Sequence, residues 1–263
     1  MSRVIKLGQI QARTPSSAYR FLGLAANTTT DSTWTDQSGG GRNVSLGANL
    51  AAATAWATIG FNATTEQSSA AATKPFFQFP STAAFDWDWL AGDSLLIFIK
   101  GQFTTPAATS YMAGNSGTVV SKPGIRARAF VTHKADIQLC DVAGAVTTVT
   151  ATTGTPLSAA PSADTSIAWA LDAATRTASI YVNGAVDVSG YAVPASDFRT
   201  STDLLSIGGA PDASANYKAT AAKFREVHVL ISKGKGLPSN VATLIATMHN
   251  VRNYALTSSQ FPA

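Results

Sequence analysis

A chain of 263 residues that is 45% hydrophobic but only 13% charged, against roughly a quarter charged in an ordinary soluble domain, is long enough to bury one large core without staples. Its single cysteine, Cys140, excludes an intramolecular disulfide and a thiolate cluster for zinc, and no stretch approaches the ~20 apolar residues of a membrane-spanning helix. Four of the 19 basic residues, Arg3, Lys6, Arg13 and Arg20, precede the first acidic residue, Asp31, so the other 15 balance the 15 acidic ones and the net charge of +4 lies at the N-terminal end.

That charge distribution marks a basic arm over 1–22, read either as docking on an acidic partner surface or another subunit or as a solvated, partly disordered terminus, followed by a folded domain over 23–256 and a tail over 257–263. Four spaced charges without interleaved aromatics make a poor phosphate-binding footprint, so nucleic acid is not an expected partner. Residues Met1 to Ile10 lack the apolar core of a secretory signal. The expectation is therefore synthesis in a cytoplasm, without membrane insertion.

Beyond the arm, period-2 alternation punctuated by turn residues predicts an all-β architecture. Lys74 to Phe79 reads as a strand closed by Pro80. Asp93 to Phe103, with its apolar run Leu95 to Ile99, reads as a central strand. Ile125 to Val131 and Ile137 to Asp141 continue the series, and Cys140 is expected as a buried small hydrophobe. Thr165 to Leu171 places Ile167, Trp169 and Leu171 on one face and small residues on the other, which predicts a half-buried strand. In Thr177 to Val188, Asn183-Gly184 supplies the two positive-φ positions of a type I′ hairpin turn. Leu204 to Ile207 is a further strand, and Phe224 to Ile231 switches face near Glu226, which predicts a bulge. Ser239 is placed to cap a helix carrying Val241, Leu244, Ile245, Met248 and Val251 on one stripe. The stretches 25–70, 104–118, 143–164 and 209–220 read as loops.

Four segments carry a resemblance to the concanavalin-A-like, laminin-G-like lectin and glucanase superfamily, in the form found in bacteriophage virion proteins. They are the Trp34 to Asn43 turn, the Asp93 to Lys100 strand, the Ile167 to Gly184 hairpin pair, and the ending Leu204–Gly208, Lys223–Leu230, Leu237–Leu244. The resemblance implies a two-sheet antiparallel β-sandwich, a jelly roll, with one short C-terminal amphipathic helix. It departs from the family where an acidic triplet is replaced by Phe224-Arg225-Glu226. Calcium in this superfamily is held by an aspartate, an asparagine and backbone carbonyls, and the matching turn would offer Asp36 and Asn43. No other cofactor is expected.

Glycoside hydrolysis needs a pair of carboxylates, yet neither Glu66 nor Glu226 has an acid two positions away. The nearest imitation is Phe85-Asp86-Trp87-Asp88-Trp89, where Asp86 and Asp88 share one face of an extended segment and Trp87 and Trp89 the other. This reads either as a sugar platform flanked by acids or as an aromatic pair at the edge of the core. Gly114-Asn-Ser-Gly117 lacks the full pattern of a nucleophile elbow and reads as a turn. Gly39-Gly-Gly41 is followed by Arg42-Asn43, without the lysine and hydroxyl residue of a phosphate loop. His133, His228 and His249 have no metal-site spacing.

A sugar-binding fold without an export signal points to a non-enzymatic bacteriophage structural protein that reaches the virion from the host cytoplasm. In this reading the arm anchors to capsid or tail proteins, the jelly roll is displayed for host-surface adhesion, and symmetric contacts form a homo-oligomer. The alternatives are a carbohydrate-binding lectin module with a glycan partner, and a glycoside hydrolase using Asp86 and Asp88.

Overall fold

The computed structural model describes residues 14–24, 33–46, 61–62, 77–103, 110–116, 123–129, 134–152, 163–198, 203–208, 218–219 and 222–263. In chain order the strands are β1 (Tyr19–Leu24), β2 (Thr33–Trp34), β3 (Val44–Leu46), β4 (Phe61–Asn62), β5 (Phe77–Gln78), β6 (Ser94–Phe103), β7 (Ser110–Gly114) and β8 (Gly124–Ala129). They continue with β9 (Ala135–Cys140), β10 (Val146–Thr150), β11 (Thr165–Asp172), β12 (Thr177–Val182), β13 (Ala185–Ala192), β14 (Ser206–Ile207), β15 (Lys218–Ala219) and β16 (Ala222–Ser232), before helix α1 (Val241–Asn250). A 3-10 turn, Thr82–Phe85, precedes β6.

Two sheets form a sandwich. One has the order β1-β16-β6-β11-β12-β13, with β4 also on β16. The other runs β10-β9-β8-β7-β14-β5-β3-β2, with β15 on β7. Every pairing is antiparallel except the short β15–β7 contact. The layer between the sheets is built from the inward residues of both: Ile97, Ile99, Trp169 and Val229 from the first meet Ile125, Ile137, Leu139 and Ile207 from the second. Alternation accounts for this, since successive strand side chains point to opposite faces.

The longest predicted elements form as expected. The Asn183-Gly184 turn joins β12 and β13 with φ of 51° and 76°, as a type I′ turn requires. The register of β16 slips between Phe224 and Glu226, which is the predicted bulge, and Cys140 is a buried free thiol. Several expectations need correction. β11 is buried on both faces rather than one, because Ala168 and Ala170 lie under a second apolar layer with Leu96, Phe98, Leu244, Ile245, Met248, Leu256 and Phe261. Small residues on that face let the C-terminal segment approach closely. The helix forms, but Asn240 rather than Ser239 stands at its N-cap and makes no side-chain capping bond. Val251 lies past the last turn and is exposed.

The terminal boundaries also move. Arg20 belongs to β1, which pairs with β16, and its Nε lies 2.8 Å from Asp86 Oδ1, so the arm does not reach residue 22. Arg3, Lys6 and Arg13 lie outside the described residues. Residues 257–263 are not a free tail: Phe261 is fully buried, its carbonyl accepts from Ser16 Oγ, and Ser16 N donates to Leu256 O at 2.8 Å. The stretches read as loops contain β2, β3, β4, β7, β10 and β15, none longer than five residues, too short for a period to stand out.

Candidate functional site

The face of the nine-stranded sheet turned away from the core carries a row of polar residues interrupted only at Gly114 on β7. Register pairs Thr33 with Ser45, Ser45 with Gln78, Gln78 with Ser206, Ser206 with Gly114, Gly114 with Arg126, Arg126 with Gln138, and Gln138 with Thr148. One residue along on each strand is the core-facing row, which includes Trp34, Val44, Ile207, Ala113, Ala127, Ile137 and Val149. Across eight strands at a spacing of about 4.8 Å, seven thus contribute hydroxyls and carboxamides with a single charge, Arg126, and β7 contributes Gly114.

Parts of the row are wired together. Gln138 Nε2 donates to Thr148 Oγ1 at 3.2 Å, Arg126 Nη1 lies 3.5 Å from Gln138 Oε1, and Arg126 Nε donates to Ser116 Oγ at 3.2 Å. Gly114 must lack a side chain, since a β-carbon there would sit 2.3 Å from Ile125 O and 2.5 Å from Tyr111 Oη. Exposure differs along the row. Ser45 is exposed and Thr33, Gln78, Gln138 and Thr148 are half-buried, whereas Arg126 and Ser206 are 3% and 0% exposed. The adjoining row pairs Asp136 with Arg128 through two bonds of 2.9 and 2.5 Å. Burial pushes the Asp136 carboxyl up against the pull of that arginine. Beside it, Asn115 Oδ1 accepts from Ile125 N at 2.9 Å while Nδ2 is buried without a partner.

The densest cluster of titratable groups lies on the outer face of the other sheet, beneath the C-terminal segment. Lys100 Nζ is 3.7 Å from Glu226 Oε1, Glu226 Oε2 is 3.5 Å from His228 Nε2, and His228 Nδ1 is 3.0 Å from Tyr19 Oη. Each group also holds the segment's backbone: Lys100 donates to His249 O at 2.7 Å, Glu226 accepts from Asn253 N at 3.0 Å, and Tyr19 accepts from Leu256 N at 3.0 Å. Burial drives the Tyr19 phenol above its ordinary range. It would also raise the Glu226 carboxyl, but His228, the Asn253 amide and the Lys100 ammonium outweigh it and hold that group below the usual carboxylate range. Burial, aided by Lys100, lowers His249, whose Nδ1 meets Ser166 Oγ at 2.9 Å. With Glu226, Lys100, His228 and Tyr19 all nearly or wholly buried, the cluster acts as a clasp closing the second apolar layer.

The aromatic and acidic residues singled out in the sequence are brought together, but as framework. Trp87 and Trp89 are 1% and 4% exposed and extend a ring chain from Phe79 through Phe85. Their indole N–H groups donate to Asp93 O at 2.9 Å and Pro194 O at 3.3 Å. A sugar cannot stack on them, and the core-edge explanation prevails. Asp86 bonds Arg20 and lies 3.2 Å from Lys233; these cations hold its carboxyl below the usual range although burial alone would raise it. Asp88 Oδ1 accepts from the Leu90 and Ala91 amides.

Asp36 and Asn43 share one turn, yet they do not fit calcium. The four carboxylate bonds of Asp36 come from Leu22 N, Ser38 N, Ser38 Oγ and Arg42 N, at 2.8–3.1 Å. Asn43 Oδ1 accepts the Asp36 amide at 2.9 Å. Donors already surround the oxygens a cation would need. Among the described residues no group of three or more His, Cys, Asp or Glu side chains could hold a metal ion. His133 lies outside the described residues.

No family model and no curated protein matches the chain. Solved structures similar to it include the CBM40 domain of Ruminococcus gnavus IT-sialidase bound to α2,6-sialyllactose, at 13% identity and a TM-score of 0.47 over 60% of this chain and 85% of that one. A leech intramolecular trans-sialidase is 14% identical with a TM-score of 0.48, covering 60% of this chain and 24% of the other. Trypanosoma rangeli sialidase is 14% identical with a TM-score of 0.49, covering 90% of this chain and 33% of the other. The chain thus spans a quarter to a third of these two enzymes. At such identities and scores the sandwich stands on this chain's own strand order and register.

Proposed function

We propose that the protein is a non-catalytic carbohydrate-binding module that takes glycans on the polar face of its nine-stranded sheet. The observation that supports this is the row from Thr33 to Thr148. Hydroxyls and carboxamides both donate and accept, so a row of them suits a ligand whose own surface is hydroxyls. The half-buried Gln78 and Gln138 are the groups through which a ligand would be held, with Ser45 at the exposed flank. Asp86 and Asp88, the pair a hydrolase would use, are committed to Arg20, Lys233 and backbone amides. The virion reading draws on a sugar-binding fold without an export signal and on a basic arm; with Arg20 in the sheet and Arg3, Lys6 and Arg13 outside the described residues, no observation of the structure favours it.

The test is a glycan array probed with the full chain, followed by calorimetry on any hit. Gln78→Ala and Gln138→Ala are each expected to weaken binding about tenfold, the equivalent of one lost hydrogen bond of ~1.4 kcal/mol. An array blank across bacterial and host polysaccharides, or hits that both variants bind as tightly as the parent, would reject the reading.

A further inference from the structure

A second, separate site sits at one edge of the sandwich. There β1, the end strand of one sheet, meets β2 and β3, the end strands of the other. The turn between β2 and β3 reaches across: Leu22 N donates to Asp36 Oδ1 at 3.1 Å, Gln37 N to Leu22 O at 2.9 Å, and Trp34 Nε1 to Leu24 O at 3.3 Å. Between this turn and the Ser16–Tyr19 segment lies a cleft of about 230 Å³, lined in part by Ser16, Ser17, Ser38, Gly40 and Arg42.

Arg42 gives the cleft its chemistry. Its Nη1 donates to Tyr19 O at 3.2 Å, and the guanidinium has no carboxylate partner among the described residues. Asp36, the acid on the same turn, is 7% exposed and has its oxygens filled by the turn's own donors, including the Arg42 amide. Gly40 makes this possible, because a β-carbon there would lie 2.2 Å from Arg42 Nη1. The glycine lets the guanidinium lie across the turn, where, among the described residues, its only hydrogen bond is the one to Tyr19 O.

We propose that this cleft binds the carboxylate of an acidic sugar, with Arg42 as the anchoring cation. A planar guanidinium fork matches a carboxylate by paired hydrogen bonds. Arg42 is the one cation among the described lining residues, and with Asp36 buried and its oxygens filled the cleft suits a singly charged group better than a phosphate. The exposed Ser17 supplies a hydroxyl for the ring, while the Ser38 hydroxyl, which donates to Asp36, can only accept. The volume is below the roughly 300–1,000 Å³ of drug-sized pockets and accommodates a single sugar unit. The cleft shares no residue with the polar row, so either can fail without the other.

The test is an amide-resolved NMR titration of the full chain with D-galacturonate, with D-galactose as the neutral counterpart, and with inorganic phosphate. Galacturonate is expected to shift the Ser17, Ser38, Gly40 and Arg42 amides, and galactose to leave them in place. Arg42→Ala should weaken galacturonate binding at least tenfold and Arg42→Lys less. Gly40→Ala, which keeps the charge but displaces the guanidinium, should weaken it at least fivefold, with the far-UV spectrum of each variant unchanged. Arg42→Ala titrating like the parent, or equal shifts with galactose, overturns the site. Shifts with phosphate alone overturn the sugar assignment. Neutral glycans that move only Gln78 and Gln138 report on the polar row and leave this outcome unaffected.

Discussion

Trp87 and Glu226 show how far a residue's type can mislead about its role. An exposed-looking aromatic flanked by acids suggests a sugar platform, but Trp87 is packed between Phe85 and Trp89 with its N–H bonded to Asp93 O. Trp87→Ala is therefore expected to cost about 3–5 kcal/mol of stability, seen as a lower midpoint in chemical denaturation, whereas a pure loss of glycan binding at unchanged stability would restore the platform. Glu226 is the residue of Phe224-Arg225-Glu226 that keeps the family triplet's acid, and it turns out to be the anion of a buried clasp. Glu226→Gln leaves the Lys100 ammonium buried without its counter-charge and is expected to destabilise the fold at neutral pH by about 3 kcal/mol, read from the same denaturation midpoint. Glu226's role was not legible locally, because Lys100 lies far away in sequence, and Trp87's neighbours in sequence do not by themselves say whether its ring is buried in the core.

The C-terminal segment is the element whose importance the sequence understates. The stripe of Leu244, Ile245 and Met248 announces a helix laid on an apolar surface. The tie-down of residues 251–263 includes hydrogen bonds in which Leu256 N donates to Tyr19 Oη, Asn253 N to Glu226 and Ser16 Oγ to Phe261 O, which have no sequence signature. Removing residues 251–263 is expected to uncover Leu22, Leu96 and Phe98, and to show as increased binding of a hydrophobic dye with a lowered melting temperature. A truncated chain that melts with the parent would mean that α1 alone seals this layer. The short strands tell a related story: β2, β3 and β14 are too brief to show alternation, and only pairing with neighbouring strands makes them strands.

Over the whole molecule, acid should loosen the clasp before it reaches the inter-sheet core. The folded state holds Glu226 below its ordinary value, so its contribution is fully present above the unfolded carboxylate pKa of about 4.3 and is lost as pH falls through the lower folded value. His249, also lowered, adds a loss of the same sign that begins as pH falls below about 6.5. Asp136, which is raised, works in the opposite sense, since the folded state takes its proton more readily. Melting temperature is thus expected to fall from pH 6.5 downward, and more shallowly below pH ~4 in Glu226→Gln; parallel profiles for the two proteins would remove Glu226 as the acid-sensitive group. The sequence by itself determined the β class, the central strands, the Asn183-Gly184 hairpin, the bulge in β16 and the helix, because alternation, turn chemistry and apolar stripes act over a few residues. Only the tertiary structure decided which polar residues line up across eight strands, which aromatics are core, and where Arg20 and Arg42 end up. Those outcomes depend on register between strands and on contacts closing over long stretches of chain, and neither is written in any local pattern.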